Sequence, residues 1–508
     1  MSVEFIVKEV IIQPDTSIIV SRSTSMNIPQ KTKLMLKNAA NEAKFFSPVA
    51  IVVLDDFPDG KAGLTTQAMK MLGIGPGEKV KLTEEIRTSP ESLNYIKNRM
   101  RGIKLQKSQI EEIIHDITTH KLSVQEKTAF ILTQHFDKFD MEEIEYVTRS
   151  IANSGEIIDF GEHATITDKH SLGGVPGNKV TLLIVPIIAS LGLMIPKTSS
   201  RAITSPSGTA DTMESLNCEV SFKADEIVEI TRRVGGLICW GGALNLAPAD
   251  DILIHDVEFP LGINPQSTML ASIMAKKVAM GVNFLVLDLP TGKGTKVPTT
   301  DDGLILAREF SELGRRLGIR VENGLTFGGI PVGHAIGPAL EAREGLRALM
   351  NPKTAPSSLV EKSTALAGIL LEMVGKAPRG KGQDMALHQL YSGAAYAKFK
   401  EIIEAQHGNP SIKPDEVEIG EHTYEWVATV DGWIVDIDNK AIVSIAKAAG
   451  APHDKEAGIY FIKKKEAVKR GEPVLRIHAS SEARLKAAMN KLAERPPITI
   501  EGMLLGRL

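Results

Sequence analysis

The stretch "NFLVLDLPTGKGTKVPTTDDGLILAREFSELGRRLGIRVENGLTF", residues 283–327, decides the fold class. It starts with a short apolar run, continues with apolar residues at three- and four-residue spacing, and ends with a second short apolar run. This order predicts a strand, a helix and a strand, the unit of a mostly parallel sheet with flanking helices. Similar alternation runs from Glu156 to about Ala405, so we expect an α/β domain there.

Other patterns flank this segment. Strand-like runs such as "EFIVKEVII" precede residue 84, amphipathic helical patterns follow, and the tail from about Glu421 mixes strands with helices. The helical stretch 266–281 interrupts the alternation and is expected to belong with the earlier helices. The predicted domains are a β-rich domain (1–84), a helical domain (88–154 plus about 248–281), an α/β phosphate-binding domain (155–247 plus about 282–415) and an α+β domain (420–508). A capping box of Ser123 and Glu126 marks one helix start.

Composition narrows the class of protein. The chain has 508 residues, 59 basic against 62 acidic residues and a net charge of −3, which disfavours a nucleic-acid partner. With only two cysteines and no signal-peptide pattern at the start, a reducing cytoplasm is the expected compartment. The apolar run 180–196 is short for a membrane span and contains Pro186, so it is expected to be a buried core helix.

Two polar clusters flank that apolar run and predict an anion site. The first, "DKHSLGGVPGNK" (168–179), has glycines that let the backbone approach an anion, a charge from Lys169 and a hydroxyl donor in Ser171. A helix beginning near Lys179 would direct its positive end to the same place. The second, "SSRAITSPSGTADTME" (199–214), adds further donors, and either Asp211 or Glu214 could hold a sugar hydroxyl or a cation of the cluster. Taken singly, either cluster is equally compatible with an ordinary loop.

Other motifs point away from rival chemistries. "TGKGTK" (291–296) and "PRGKGQ" (378–383) lack the spacing of an ATP-binding P-loop, and the sequence has no zinc-ligand spacing and no G-x-S-x-G motif. We therefore expect no metal and no cofactor. His170 is a candidate proton donor, with a surface hydrogen-bonding role as the alternative.

Taken together, these motifs resemble the thymidine and pyrimidine-nucleoside phosphorylases and, most closely, their archaeal relatives, the AMP (nucleoside monophosphate) phosphorylases. "DKHSLGGV" is similar to the family's phosphate loop, and "SSRAI…GTADTME" to its signature. The resemblance continues through "LASIMAKK" (270–277), "IGPALEARE" (336–344) and "AKAAGAPHDKEAGIY" (446–460), and covers roughly 88–480.

The resemblance implies a multidomain fold of the class II nucleoside phosphorylase kind. A helical domain lies beside the α/β domain, with an α+β tail and a cleft that closes by domain rotation. The implied reaction is phosphorolysis, in which phosphate attacks C1′ of a pentose and the base leaves. Inorganic phosphate is the co-substrate, no cofactor is needed, and a homodimer or larger homo-oligomer is expected.

The resemblance also assigns roles to residues of this sequence. Lys169, Ser171 and Thr209 match phosphate-binding positions, and Gly174 together with Ser200, Arg201, Ala202, Ile203, Thr204 and Ser205 match nucleotide-contacting positions. Ser272 and Lys276 match base-contacting positions, and His170 matches a proposed acid. Lys293 and Lys296 are candidates for a 5′-phosphate, with Lys296 favoured; the alternative is two solvated lysines.

The sequence departs from the family pattern at two positions, one that concerns the choice of base and one that concerns the proton donor. His255 stands where the thymidine enzymes carry an arginine that reads the pyrimidine, and a histidine lacks the rigid fork of donors. Asn264 stands where the AMP branch has an aspartate that donates a proton to the base. Asp256 and His170 are then the candidate proton sources.

The leading hypothesis is phosphorolysis of a nucleoside 5′-monophosphate, AMP-like, yielding the base and ribose 1,5-bisphosphate. The alternative within the enzyme class is a thymidine or pyrimidine-nucleoside phosphorylase yielding a pentose 1-phosphate. A hypothesis from another class is a non-catalytic nucleotide-binding protein on the same fold, for which Asn264 is the main support. Each implies small-molecule partners, without nucleic acid or membrane.

Overall fold

The computed structural model describes residues 2–9, 17–25, 34–42, 44–46, 51–84, 89–202 and 205–502. It divides into two compact units, Met1–Ser89 and Pro90–Leu508. Within these ranges, no helix combines the length and the apolar character needed to cross a bilayer.

The first unit is a mixed sheet with two helices. Its elements are β1 (Ser2–Glu9), β2 (Ile18–Ser21), α1 (Arg22–Ser25), β3 (Leu34–Asn38), β4 (Phe45–Phe46), β5 (Ile51–Leu54), β6 (Lys61–Leu64), α2 (Thr66–Leu72) and β7 (Lys79–Glu84), and the strand order is β4-β3-β7-β1-β6-β2-β5. Helix α2 begins where the Thr65 hydroxyl accepts the Ala68 amide at 3.1 Å, and it ends at Gly73, whose φ of +63° suits glycine. Leu64, Leu72 and other apolar side chains form a separate buried core.

The second unit begins with helices and continues as an α/β layer. Its elements up to residue 327 are α3 (Glu91–Met100), α4 (Lys107–Thr118), α5 (Val124–Phe136), α6 (Met141–Asn153), β8 (Thr167–Ser171), α7 (Thr181–Ser190), β9 (Ile195–Ser199), α8 (Thr209–Glu214), α9 (Ala224–Val234), β10 (Gly236–Trp240), α10 (Pro248–Leu253), a π-helical turn (Ile254–Glu258), α11 (Phe259–Leu261), α12 (Gln266–Ala279), β11 (Phe284–Thr291), α13 (Thr300–Leu317) and β12 (Arg320–Phe327).

The remaining elements complete this layer and form the tail. They are β13 (Ala335–Ile336), α14 (Pro338–Met350), α15 (Ser357–Met373), α16 (Gly382–Tyr391), α17 (Ala394–Ala405), β14 (His422–Val427), β15 (Gly432–Ile437), α18 (Asn439–Ala449), β16 (Gly458–Phe461), β17 (Ala467–Val468), β18 (Pro473–Ala479), α19 (Glu482–Glu494) and β19 (Ile498–Glu501).

The α/β layer confirms the predicted parallel sheet. Strands β12, β11 and β8 pair in parallel, as do β10 and β9, and a parallel bridge between Ile166 and Met194 places β8 next to β9. Helix α7 begins at Thr181, and all of its residues except Ser190 are buried, as expected for a core helix. One buried apolar core includes both the helical segment and this sheet, and a second core lies in the tail.

Local sequence signals mark the start of one of the helices that precede the sheet. The capping box is present at α5, where the Ser123 amide donates to Glu126 at 2.7 Å and the Glu126 amide donates back to the Ser123 hydroxyl at 3.4 Å. Helix α12, the segment that interrupts the alternation, packs against α6.

Candidate functional site

The structure brings the starts of the two polar clusters to one edge of the parallel sheet. Thr167 donates to the Met194 carbonyl from its amide at 2.9 Å and from its hydroxyl at 2.8 Å. Strands β8 and β9 therefore lie side by side and end at Ser171 and Ser199. Since loops at the carboxyl ends of parallel strands collect at one edge, both clusters start from the same place.

A group of buried charges, here named the charge cluster, lies on these strands and on the elements packed against them. Its members are Lys169, Lys197, Lys277, Lys362, Asp168 and Asp288. Lys277 Nζ lies 2.6 Å from Asp168 Oδ2. Lys362 Nζ lies 3.0 Å from Asp288 Oδ2. Lys197 Nζ lies 3.7 Å from Asp168 Oδ1. When every member is ionised, the four lysines and two aspartates leave a net charge of +2, and such an excess is costly in a buried site. An anion bound at the strand edge would compensate it.

Lys169 lacks an ion pair within this cluster. In the part of the chain that the structure describes, no carboxylate forms a salt bridge with its ammonium group. Burial lowers its pKa to about 7, the Asp288 charge opposes this shift, and Lys197 and Lys362 add to it. Lys169 is therefore only partly protonated at neutral pH, rather than the full charge expected from the sequence. A bound anion would favour its protonated form.

The Ser171 hydroxyl is already engaged with the charge cluster. It donates to Asp288 Oδ2 at 2.6 Å and accepts from Asn178 Nδ2 at 3.2 Å. Thr326 also donates to Asp288. Because a hydroxyl has one hydrogen, Ser171 can donate to an anion only after releasing Asp288.

The glycine loop after β8 contacts the loop after β11. Gly174 has a φ of +87°, and a Cβ placed on it would lie 3.2 Å from the backbone nitrogen of Lys296. This close approach explains the need for glycine there. It also brings Lys296 beside the predicted phosphate loop. Lys293 is instead 77% exposed at its side chain and paired with Asp436 at 2.6 Å.

Asp211 holds the ends of the second loop together. Its Oδ2 accepts the amides of Ala202 and Gly208, each at 2.9 Å. Thr209 follows Gly208 directly, and its hydroxyl has no hydrogen-bond partner among residues 89–202 and 205–502. Asp211 thus orients the loop backbone, and the Thr209 hydroxyl is available to a ligand.

The remaining residues assigned to this loop have varied surroundings. Arg201 forms two hydrogen bonds to Glu214, at 2.6 and 2.8 Å, and its guanidinium lies 4.7 Å from the centre of the Trp240 ring. The Ser200 carbonyl accepts the Ser199 hydroxyl at 3.0 Å, and the Ser205 hydroxyl donates to the Ser207 carbonyl at 2.9 Å. Ile203 and Thr204 lie outside the described residues. The charge of Arg201 is therefore neutralised by Glu214.

The predicted base-contacting residues lie one turn apart on α12 and share a carboxylate. Ser272 donates to Asp250 Oδ2 at 2.8 Å, and Lys276 Nζ lies 2.9 Å from the same oxygen. Burial acts to lower the pKa of Lys276, but the charges of Asp250 and Asp251 raise it above its ordinary value. Lys276 is therefore a stable cation.

The candidate acids differ in their ability to supply a proton. Burial, and then the charges of nearby lysines such as Lys277, hold the pKa of His170 well below its ordinary value, so its imidazole is neutral. Burial acts to raise the pKa of Asp256, but hydrogen bonds from Lys127 and His255 lower it, so this carboxylate is ionised. Asn264 is exposed in the loop before α12, and its amide has no acidic proton.

The sequence motifs assign no role to several residues of this site. They are Asp288, Lys362, Lys277, Lys197, Asp168 and Glu258, of which Asp168 and Lys277 lie within the motifs at 168–179 and 270–277. One sequence signal was available for Asp288, a carboxylate in the otherwise apolar strand "FLVLDLPT". A charge in a buried strand needs a partner, but the strand does not reveal which one. In the described ranges, no group of three His, Cys, Asp or Glu side chains is arranged to hold a metal ion.

Comparisons with protein families agree with this architecture. Residues 163–396 match the glycosyl transferase family, a/b domain, and residues 433–499 match the pyrimidine nucleoside phosphorylase C-terminal domain. These segments cover the parallel sheet with its two polar clusters and most of the tail.

Two proteins of similar sequence are named AMP phosphorylases. An AMP phosphorylase of Thermococcus kodakarensis is 51% identical over 450 residues, covering 88% of each chain. AMP phosphorylase 1 of Archaeoglobus fulgidus is 49% identical and covers 88% of this chain and 87% of its own. Among solved structures, an anthranilate phosphoribosyltransferase of Thermus thermophilus aligns with a TM-score of 0.52 at 18% identity, covering 62% of this chain and 99% of its own. That last likeness concerns the fold alone.

Proposed function

The chain belongs to the AMP phosphorylase family of pentosyltransferases, and from this premise we propose that it catalyses the phosphorolysis of AMP. The products are adenine and ribose 1,5-bisphosphate. The likeness to AMP phosphorylases along most of both chains carries this proposal, and it favours AMP over thymidine or another pyrimidine nucleoside.

The charge cluster supports the binding of inorganic phosphate as the second substrate. The four lysines and two aspartates carry a net charge of +2 when all are ionised, and the dianion of phosphate balances this charge. In the described ranges, neither Lys169 Nζ nor the Thr209 hydroxyl has a hydrogen-bond or ion-pair partner in the protein. They bind the phosphate, and Ser171 joins them once its hydroxyl turns away from Asp288.

The nucleotide lies between this edge and α12. Lys296 binds the 5′-phosphate beside Gly174, and the backbone of residues 200–202 and of Ser205 contacts the nucleotide. Ser272 and Lys276 face the base from the helical side. This arrangement holds the phosphate oxygen close to C1′, which lowers the entropic barrier to attack.

During the reaction, positive charge develops on the ribose and negative charge on the leaving base. The phosphate stabilises the ribosyl cation, and a proton neutralises the base. The proposal needs no metal ion and no organic cofactor. Inorganic phosphate acts as a co-substrate.

We place this activity in the cytoplasm, in a homo-oligomer. Cys218 and Cys239 are buried and unpaired, which suits a reducing compartment. Met100, Ile103 and Phe136 expose large apolar side chains on the helical segment, and such side chains favour an interface between subunits. Light scattering on purified protein tests the oligomer directly.

A substrate panel tests the reaction. The protein is incubated with phosphate and, in separate reactions, AMP, CMP, thymidine or uridine, and released base is measured by chromatography. We expect adenine from AMP, with strict dependence on phosphate. Turnover of thymidine without turnover of AMP would instead assign a nucleoside phosphorylase, and binding of AMP without release of adenine would assign a non-catalytic nucleotide-binding protein.

A further inference from the structure

The proposed reaction needs an acid near the leaving base, and the three residues named so far do not provide one at neutral pH. Asn264 has only an amide, Asp256 is an ionised carboxylate paired with Lys127, and His170 is neutral. A general acid has to be protonated at the working pH and able to lose that proton.

Glu258 has the features that these residues lack. It ends the π-helical turn that follows α10. Its Oε1 is shielded from solvent and has no hydrogen-bond partner in the part of the chain that the structure describes. A buried carboxyl oxygen without a hydrogen-bond partner is rare, and at a candidate site it points to a catalytic or ligand-binding role.

The position of Glu258 is fixed by the turn that leads to Asn264. The Ile263 amide donates to the Glu258 carbonyl at 3.1 Å, so the loop before α12 folds back onto this residue. Glu258 is therefore close to the place where the family's aspartate is replaced by an amide.

The charges around Glu258 come from both sides of the candidate nucleotide site. Asp250 of α10 and Lys276 of α12 act on it from the helical side, and Lys296 acts on it from the loop after β11. Glu258 is also the charge with the main influence on Lys296. Helix α5 packs against the same turn, and its Lys127 forms an ion pair with Asp256 rather than with Glu258. Glu258 is thus within electrostatic range of Lys276, which is assigned to the base, and of Lys296, which is assigned to the 5′-phosphate.

Building on the proposed phosphorolysis of AMP, we propose that Glu258 is the acid that protonates the leaving base. An oxygen of phosphate forms a bond to C1′ as the bond from C1′ to N9 breaks, with its electron pair passing to adenine. The carboxyl proton of Glu258 moves to N7, so adenine leaves neutral. The carboxylate then regains a proton from water.

The surroundings of Glu258 suit this role. Burial and then the charge of Asp250 raise its pKa to about 7, although Lys276 and Lys296 oppose the shift. A carboxyl group with this pKa is about half protonated at neutral pH. Glu258 can therefore carry a proton at neutral pH, whereas Asp256, which is paired with Lys127, is ionised.

Replacing Glu258 with glutamine removes the proton and keeps the size of the side chain. For AMP at saturating phosphate, we expect Glu258→Gln to lower kcat about 100-fold or more. The kcat of the natural protein falls above about pH 7, because the acid loses its proton, and that fall is absent in Glu258→Gln. Glu258→Asp retains a carboxyl and should recover part of the rate.

An alkylated substrate separates proton donation from a structural role. N7-methylated AMP releases a neutral base without any proton, so the acid is not needed. We expect Glu258→Gln and the natural protein to cleave it at rates within about threefold of each other. The natural protein alone also tests the idea, because kcat for AMP falls above about pH 7 while kcat for the methylated nucleotide stays level.

The outcomes distinguish this inference from the proposed function. Adenine release by the natural protein, with Glu258→Gln retaining kcat or losing equal activity on both substrates, overturns the role of Glu258 and leaves AMP phosphorolysis standing. Failure of the natural protein to cleave AMP and its methylated form overturns both. If the glutamine variant does not fold, parallel pH profiles of the natural protein on the two substrates overturn the role of Glu258.

Discussion

The Lys362 ammonium lies 3.0 Å from the Asp288 carboxylate, and both side chains are buried below the strand edge where phosphate is proposed to bind. Asp288 also accepts hydrogen bonds from Ser171 and Thr326. The Asp288 carboxylate therefore both neutralises the Lys362 ammonium and orients the Ser171 hydroxyl.

Replacing Asp288 with asparagine removes the partner of Lys362 and leaves a buried cation unpaired. Breaking a buried ion pair in this way costs about 3–5 kcal/mol, so we expect a loss of that size in the free energy of unfolding by urea. Asp436→Asn is the matched control, because it breaks the exposed pair with Lys293 and should change the free energy of unfolding far less. Equal losses in the two variants would contradict the importance of burial at Asp288.

The pKa of Lys169, about 7, predicts that anion affinity depends on pH. Below pH 7 the ammonium form is present and binds an anion. Above pH 7 it loses its proton, so affinity for sulfate should weaken by about tenfold for each pH unit. Sulfate is the suitable probe because it does not itself titrate between pH 6 and 9, and calorimetry measures its Kd.

Lys169→Met supplies the control for this dependence. It should bind sulfate weakly throughout, with a smaller residual slope above pH 8, where Lys197, with its pKa of about 8, loses its proton. A natural protein whose sulfate affinity is constant from pH 6 to pH 9 would show that Lys169 remains charged or does not contact the anion.

Lys296 and Lys293 belong to one loop but have different surroundings, which makes them a matched pair. For Lys296→Met we expect kcat/KM for AMP to fall about 10- to 100-fold, since a charge-assisted contact to the 5′-phosphate is lost. Turnover of adenosine, which has no 5′-phosphate, should change little. Lys293→Met should leave both values unchanged, and the assignment of Lys296 fails if the two variants behave alike.

Asn264→Asp restores a carboxyl at the exposed loop before α12. An exposed carboxyl has a pKa near 4 and is ionised at pH 7, so it supplies few protons there. We expect kcat for AMP at pH 7 to rise less than about threefold, with a larger rise at pH 5. A gain of 100-fold at pH 7 would mean that the natural protein lacks an effective acid, in conflict with the role given to Glu258.

Much of the fold follows from local sequence patterns. Apolar alternation between 283 and 327 predicts the strand, helix and strand that the structure contains, because side-chain periodicity depends on neighbours in the chain. The Ser123 capping box and the buried helix α7 are likewise local features. The resemblance in the two polar clusters identifies the family, and the comparisons confirm it.

The electrostatics of the site are decided by tertiary structure. Asp168, Lys277 and Lys362 are far apart in the sequence, and only the packed sheet brings them into one charge cluster. The sequence predicts a charged Lys169 and offers Asp256 as an acid. Burial lowers the pKa of the first, and Lys127 keeps the second ionised. The physical reason is that desolvation and Coulomb interactions act through space, whereas propensity and periodicity act along the chain.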